Sequence, residues 1–240
     1  LLGVWLCGWL VAAQAAEPLR VHYFVRPPLY YTDADGKIRG LAADPLEKAL
    51  QRSGLAYRWQ ETPSNRQLLV VQSGHGQDCA VGWYYTAERA KLGRFSRPIY
   101  RSRPIVALVS DRIALASGGP VAQLLGRRDA ILAVREQFSY GPELDRNIEQ
   151  LAPRRVSSSQ PIAEMMRLLQ RGLADYLFVS GEEADKLLVP GTRVVTFSDL
   201  RAGEARYLYC SFAVSELTMA AINRALEETV PAAREKPPGN

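Results

Sequence analysis

Gly82-Trp83-Tyr84-Tyr85-Thr86-Ala87-Glu88-Arg89, followed by Phe95-Ser96-Arg97-Pro98-Ile99-Tyr100, is the most informative stretch of this chain. The apolar run Ala80-Val81-Gly82 leads into aromatics. Thr86 then stands as a helix N-cap, and Arg89 follows three residues later in a polar helix. A capping hydroxyl, open amide N–H groups and a guanidinium in one place suit a small carboxylate at the mouth of an α/β lobe. A plainer role fits the same residues, in which Thr86 only caps and Arg89 only faces water.

On the amino-terminal side, Leu19 to Val25 alternates and is rich in strand formers, and Arg26-Pro27-Pro28 ends it. Asp33-Ala34-Asp35-Gly36-Lys37 is a turn by composition. Leu41 to Ser53 has helical periodicity, with Leu46 and Leu50 on one face and Gly54 closing it. Tyr57 to Trp59 reads as a strand, Asn65 to Gln72 as a helix, Cys79 to Gly82 as a strand and Ala87 to Leu92 as a helix. This β-α-β-α-β order predicts a mostly parallel sheet covered by helices. A second set follows. Its strands are Ile105–Val109, Ala130–Val134, a short piece at Val156, Tyr176–Val179 and Val194–Phe197. Its helices are Glu143–Leu151, opened by Gly141-Pro142, Ile162–Arg171 and Glu182–Leu187. Arg206 to Val214 is then a strand and Leu217 to Val230 a helix. The expected architecture is α/β with two lobes, one formed by 17–104 together with 198–240 and the other by 105–197. Ligands of open α/β sheets bind beyond the carboxyl ends of strands, which here means the cleft between lobes.

Composition narrows the functional classes. The chain has 240 residues, of which 47% are hydrophobic and 23% charged, an ordinary globular balance with no sign of disorder. The formal charge of +5 is spread out, with no dense basic run interleaved with aromatics, so nucleic-acid binding lacks support. His22 and His75 do not stand at metal-ligand spacing, and both read as structural. No phosphate loop, dinucleotide glycine fingerprint, nucleophile elbow or zinc-type Cys pair is present, so neither cofactor nor metal is expected. Residues 1–16 differ in character: Leu1 to Ala13 is apolar and uncharged and runs into Ala13-Gln14-Ala15-Ala16, the pattern of a secretory signal peptide lacking its initiator Met and basic start. Cys7 lacks a small-residue lipobox before it. With that segment removed, Cys79 and Cys210 are left, and in an exported chain an even pair suggests a disulfide, with two buried thiols as the alternative.

Pro28-Leu29-Tyr30-Tyr31 with Asp35-Gly36-Lys37, Gly40 and Asp44, then Thr86-Ala87-Glu88-Arg89 and Phe95-Ser96-Arg97-Pro98-Ile99-Tyr100, resembles family 3 of the bacterial extracellular solute-binding proteins. The likeness continues through Ala133-Val134-Arg135, Ser139-Tyr140-Gly141 and Gly172-Leu173-Ala174-Asp175-Tyr176, to Ile222-Asn223-Arg224-Ala225-Leu226. It implies a type II periplasmic-binding-protein-like fold and a periplasmic receptor for polar amino acids or related acids. It also implies a monomer serving an ABC permease or a membrane sensor. In that family the arginine matching Arg89 clamps the ligand carboxylate, aided by backbone around Gly82 and a side chain at Tyr84, while groups at Arg135 and Ser139 close over the ligand from the other lobe.

Several positions depart from the family pattern. Ser180 stands where amino-acid binders place an Asp for the ligand ammonium, Tyr84 where a small hydroxyl residue is usual, and Asn65 where an aromatic often stacks. Glu182 or Glu183 is a candidate substitute for the missing Asp, although both read as solvated helix residues. Tyr30, Trp83, Tyr84 and Tyr85 make the neighbourhood aromatic, which suits a partly apolar acid. The candidate ligand set is therefore Arg89, Tyr84, Gly82, Tyr30, Asn65, Arg135, Ser139 and Ser180. The paired cysteines, with Arg206-Tyr207-Leu208-Tyr209-Cys210, resemble a branch of the family with no firm tie to a transporter. The expected function is binding without catalysis. The alternatives are a lyase of the cyclohexadienyl-dehydratase kind on the same scaffold, with Glu182 as its acid or base, and a sensory ligand-binding module.

Overall fold

In the computed structural model, residues 17–200 and 202–231 are described; the signal-peptide reading of residues 1–16 lies outside them. The elements in chain order begin with β1 (Leu19–Tyr23), β2 (Tyr31–Thr32), β3 (Ile38–Arg39), α1 (Ala43–Ser53), β4 (Tyr57–Glu61), α2 (Ser64–Gln72), β5 (Asp78–Trp83), α3 (Ala87–Ala90) and β6 (Arg94–Arg101). A second group is β7 (Ile105–Ser110), α4 (Ala122–Leu125), β8 (Leu132–Arg135), α5 (Pro142–Leu151), β9 (Arg155–Ser158), α6 (Ile162–Gln170), β10 (Tyr176–Ser180), α7 (Gly181–Leu187) and β11 (Thr192–Val195). The chain returns through β12 (Ala205–Cys210) and α8 (Glu216–Thr229).

These elements build two lobes, each around a five-stranded sheet. The first has the order β4-β1-β5-β12-β6 and the second β11-β7-β10-β8-β9. In the first, β1 runs parallel to β4 and β5, and β12 is antiparallel to both β5 and β6, so one strand of five is reversed. In the second, β7 is the reversed strand, antiparallel to β10 and β11. The small β2–β3 hairpin is the predicted turn: the Asp33 carboxylate accepts the N–H groups of Asp35 and Lys37 at 3.0 and 2.9 Å.

Local sequence explains the boundaries. α1 buries Leu46, Ala49 and Leu50 and stops at Gly54, which takes the left-handed conformation with φ 69°. α8 starts from a Ser215 cap that accepts the Thr218 N–H, and buries Met219, Ile222, Ala225 and Leu226 against α1 and the first sheet. Each such apolar side chain contributes about 1.5–3 kcal/mol. β7 and β10 are buried at every position, as expected for strands covered on both faces. β6 is a strand that the sequence reading left unassigned, and within it Pro98 removes a ladder donor. It is tolerated because β6 is an edge strand and its pairing with β12 shifts register around Tyr207, opposite Pro98.

Cys79 and Cys210 face each other across β5 and β12 and form a disulfide that joins the outgoing and returning segments of the first lobe. None of the helices among the described residues is long and apolar enough to cross a membrane.

Candidate functional site

At its carboxyl end β5 turns through Gly82, whose φ of 81° is left-handed. A Cβ there would lie 2.6 Å from the Tyr30 ring, so glycine lets the tyrosine lie flat against the strand. Trp83 follows and is fixed by donating from its indole N–H to Gln67 Oε1 at 3.0 Å. Thr86 then caps α3 by accepting the Arg89 N–H at 3.2 Å. This cap turns Arg89 inward. Its guanidinium lies 4.7 Å over the Trp83 ring and donates to the Tyr84 carbonyl at 3.0 Å. It also donates across the cleft to the Gln137 carbonyl at 3.3 Å, where Gln137 holds a left-handed φ of 57°. Arg89 is therefore buried, against the plainer reading of a solvent-facing residue. Burial lowers its pKa, with no carboxylate in contact to offset the loss of water.

Two further arginines line the same space, and a third, Arg135, packs on its aromatic wall. Arg206, on β12, donates to Ser102 Oγ at 2.6 Å, the Gly82 carbonyl at 3.1 Å and the Tyr84 hydroxyl at 3.0 Å. Arg26, which follows β1, forms a two-pronged pair with Glu183 of α7 at 2.5 and 2.9 Å, joining the two lobes. Arg135, at the end of β8, lies 4.6 Å over Phe24 and 5.5 Å over Phe138, and its buried Nε has no hydrogen-bond partner. Burial, and then the charge of Arg26, push the Arg135 guanidinium pKa down. For Glu183, burial acts to raise the pKa, but the Arg26 charge and hydrogen bonds outweigh it and the net shift is downward.

The enclosed space is walled by Phe24, Arg26, Tyr30, Gly82, Trp83, Tyr84, Arg89, Phe138, Ser139 and Arg206. As the lobes sit, its volume is about 10 Å³, enough for one water. Outside Arg89, the starts of α3 and α5 face a larger groove of about 480 Å³ that holds Thr86, Ala87, Pro142 and Asp145. The amino ends of α3 and α5 thus border one groove.

Among the predicted residues, Gly82, Tyr84, Tyr30, Arg89 and Ser139 are brought together in this wall, and Arg135 packs on two of its aromatics. Ser139 is tied to the start of α5 by donating to Asp145 Oδ2 at 2.5 Å. Ser180 stands one layer back, giving its hydroxyl hydrogen to Glu183 Oε2 at 2.6 Å. Asn65 does not join them: it is exposed in the first turn of α2, its Oδ1 accepting the Arg66 N–H. The expectation that Glu182 and Glu183 are solvated is also corrected, since the first turn of α7 is buried against the segment joining β6 to β7. Glu182 accepts the Arg103 N–H at 2.9 Å and does not line the cavity. Sequence reasoning missed Arg26 and Arg206, and the pairing of Glu183 with Arg26. The available signals were an arginine directly before Pro27-Pro28 and an arginine inside an otherwise apolar strand. Among the described residues, no group of three His, Cys, Asp or Glu side chains is placed to hold a metal ion.

Two α/β lobes with arginines and aromatics converging on the space between them define a two-lobed ligand-binding protein. The chain belongs to the bacterial extracellular solute-binding proteins, family 3, whose model matches residues 19–231. Solved structures of similar fold include an ancestral arginine-binding protein bound to arginine, with 21% identity, 88% of this chain and 91% of that chain covered, and a TM-score of 0.70. The holo arginine-binding protein of T. maritima matches with 19% identity, 88% and 89% covered, and a TM-score of 0.67. An ancestral amino-acid-binding protein described as a precursor of cyclohexadienyl dehydratase matches with 20% identity, 88% of each chain covered, and a TM-score of 0.68. A search of curated proteins returned no match.

Proposed function

We propose that this chain is a periplasmic receptor that closes its lobes, 17–104 with 198–240 against 105–197, around a small carboxylate-bearing solute. It acts as a monomer and presents the solute to a membrane permease or sensor. The observation that carries this reading is Arg89. It is a buried guanidinium held by carbonyls from both lobes and stacked on Trp83, without a carboxylate of its own. A ligand carboxylate would exchange weak carbonyl contacts for a two-pronged charged one. Closure needs no chemistry, because a ligand that touches both lobes favours the closed state by its differential affinity.

The test is calorimetry of the mature chain against a panel of amino acids and simple carboxylic acids, with analysis of the recovered solute. Binding in wild type, loss of binding in Arg89→Ala and recovery of unchanged solute support the proposal. Chemical conversion of the solute would favour the lyase alternative instead.

A further inference from the structure

Arg26, Arg89 and Arg206 line one cavity, Arg135 packs on two of its aromatic walls, and all four are buried. Among the described residues only Arg26 has a carboxylate within ion-pair distance, that of Glu183. Arg206 is held by neutral acceptors, Arg89 by two carbonyls, and Arg135 by two aromatic faces with its Nε unpartnered. Uncompensated buried charge is costly, so the arrangement favours a counter-charge brought from outside.

An ammonium-bearing ligand meets the opposite situation. Glu183 is the carboxylate paired with a cavity arginine, and it is fully committed: Arg26 takes both its oxygens, and the hydroxyl and N–H of Ser180 share one of them. Asp145 holds the Ser139 hydroxyl and the Tyr140 N–H; Glu182 accepts the Arg103 N–H on Oε2, and its unpartnered Oε1 lies away from the cavity, which Glu182 does not line. An incoming ammonium would have to displace Arg26 from Glu183 and leave one more guanidinium unpaired beside Arg135.

We infer that the cleft selects a small acid with two anionic groups and no ammonium, one group taken by Arg89 and the other by Arg135. This rests on the receptor reading above and names the solute class. Phe24 and Phe138, which carry Arg135 and wall the cavity, place the second anion beside an aromatic surface. The body of the acid between its two charges therefore lies against rings. The two groups can be two carboxylates or a carboxylate and a phosphate, since a guanidinium recognises both.

The experiment is calorimetry of the mature chain with succinate, glutarate and phosphoglycolate as dianions, propionate as a monoanion, and arginine and glutamine as amino acids. Dianions are expected to bind at least about tenfold more tightly than propionate, and the amino acids more weakly than either; one tenfold step corresponds to a single modest charged contact. The ranking of glutarate against phosphoglycolate separates the two dianion types. Arg135→Gln should bring dianions down to the propionate level. Glu183→Gln should leave dianion affinity equal or higher, because it frees Arg26; if Glu183 instead held a ligand ammonium, amino-acid affinity would be present in wild type and lost in this variant. Amino acids binding as tightly as dianions, or a second charge adding nothing, overturns the inference while leaving the receptor reading intact. Failure of every carboxylate, or equal binding by wild type and Arg89→Gln, overturns both.

Discussion

The two ends of the first sheet treat their polar side chains in opposite ways. Near the amino end of β5, Asp78 accepts from Arg20 Nε and Nη2 at 2.6 and 2.9 Å and contacts His22 Nε2 at 2.8 Å, with Thr62 on the other ring nitrogen. Each charge there has a partner, and the disulfide at Cys79 staples the adjacent residue to β12. At the carboxyl end, three guanidiniums line the cavity and a fourth packs on its wall, and one of the four has a carboxylate partner. Both ends are polar and buried, so burial alone does not mark a site. The lack of matching charge does, and it falls where open α/β sheets place their ligands.

The sharpest way to break the comparison is to disturb the balanced end. Asp78→Ala leaves Arg20 with only the exposed Glu17 and His22 with only Thr62, and is expected to lower stability by about 3 kcal/mol in urea unfolding, the range for losing hydrogen bonds to a charged group. A loss below about 1 kcal/mol would show that the pairing there is not structural. Reduction of the Cys79–Cys210 bond should cost about 3 kcal/mol, within the usual range for a disulfide, measured as the shift in urea midpoint with and without reductant. Thiol titration of denatured, unreduced protein should find neither cysteine free.

At the other end the expected pattern reverses. Arg89→Gln should leave the unfolding free energy within about 1 kcal/mol, since the loss of guanidinium bonds to two carbonyls is offset by removing the cost of burying an unpaired charge. It should nevertheless remove about 3 kcal/mol of carboxylate binding by calorimetry. Arg89→Lys should recover only part of that binding, because an ammonium cannot present the planar fork. Wild-type affinity in Arg89→Gln would move the ligand away from this residue.

The smallest effect concerns pH. The Glu183 pKa is lower in the folded chain than in the unfolded one, so the Arg26 pair contributes stability that is present at neutral pH. That contribution shrinks as pH falls past about 4, the ordinary glutamate range, and vanishes below the depressed folded value. The stability difference between wild type and Glu183→Gln should therefore close on acidification. A difference that stays constant down to pH 3 or so would show that the pair does not titrate in this way.

What was legible in the sequence follows from how local each signal is. The Thr86 cap and the inward turn of Arg89 lie within four residues, and the apolar periods of α1 and α8 are repeated several times over, so both could be read directly. The Arg26–Glu183 pair joins residues 157 apart, and nothing near Glu183 distinguishes it from an ordinary first-turn acid until α7 is seen packed against the first lobe. Arg206 was hidden because a strand period says which face is buried and not which neighbours accept its donors. Asn65 was placed by likeness to a family position, and in this chain that turn of α2 faces solvent.

The most direct test of the carboxyl-end cavity uses Trp83, which lies under the Arg89 guanidinium and inside the cavity wall. In the mature chain carrying Trp59→Phe, Trp83 is the remaining tryptophan, and its emission can be followed during titration with succinate. The account predicts a saturable change in emission that disappears when Arg89→Gln is added. An unchanged spectrum, or the same saturable change without Arg89, would contradict it.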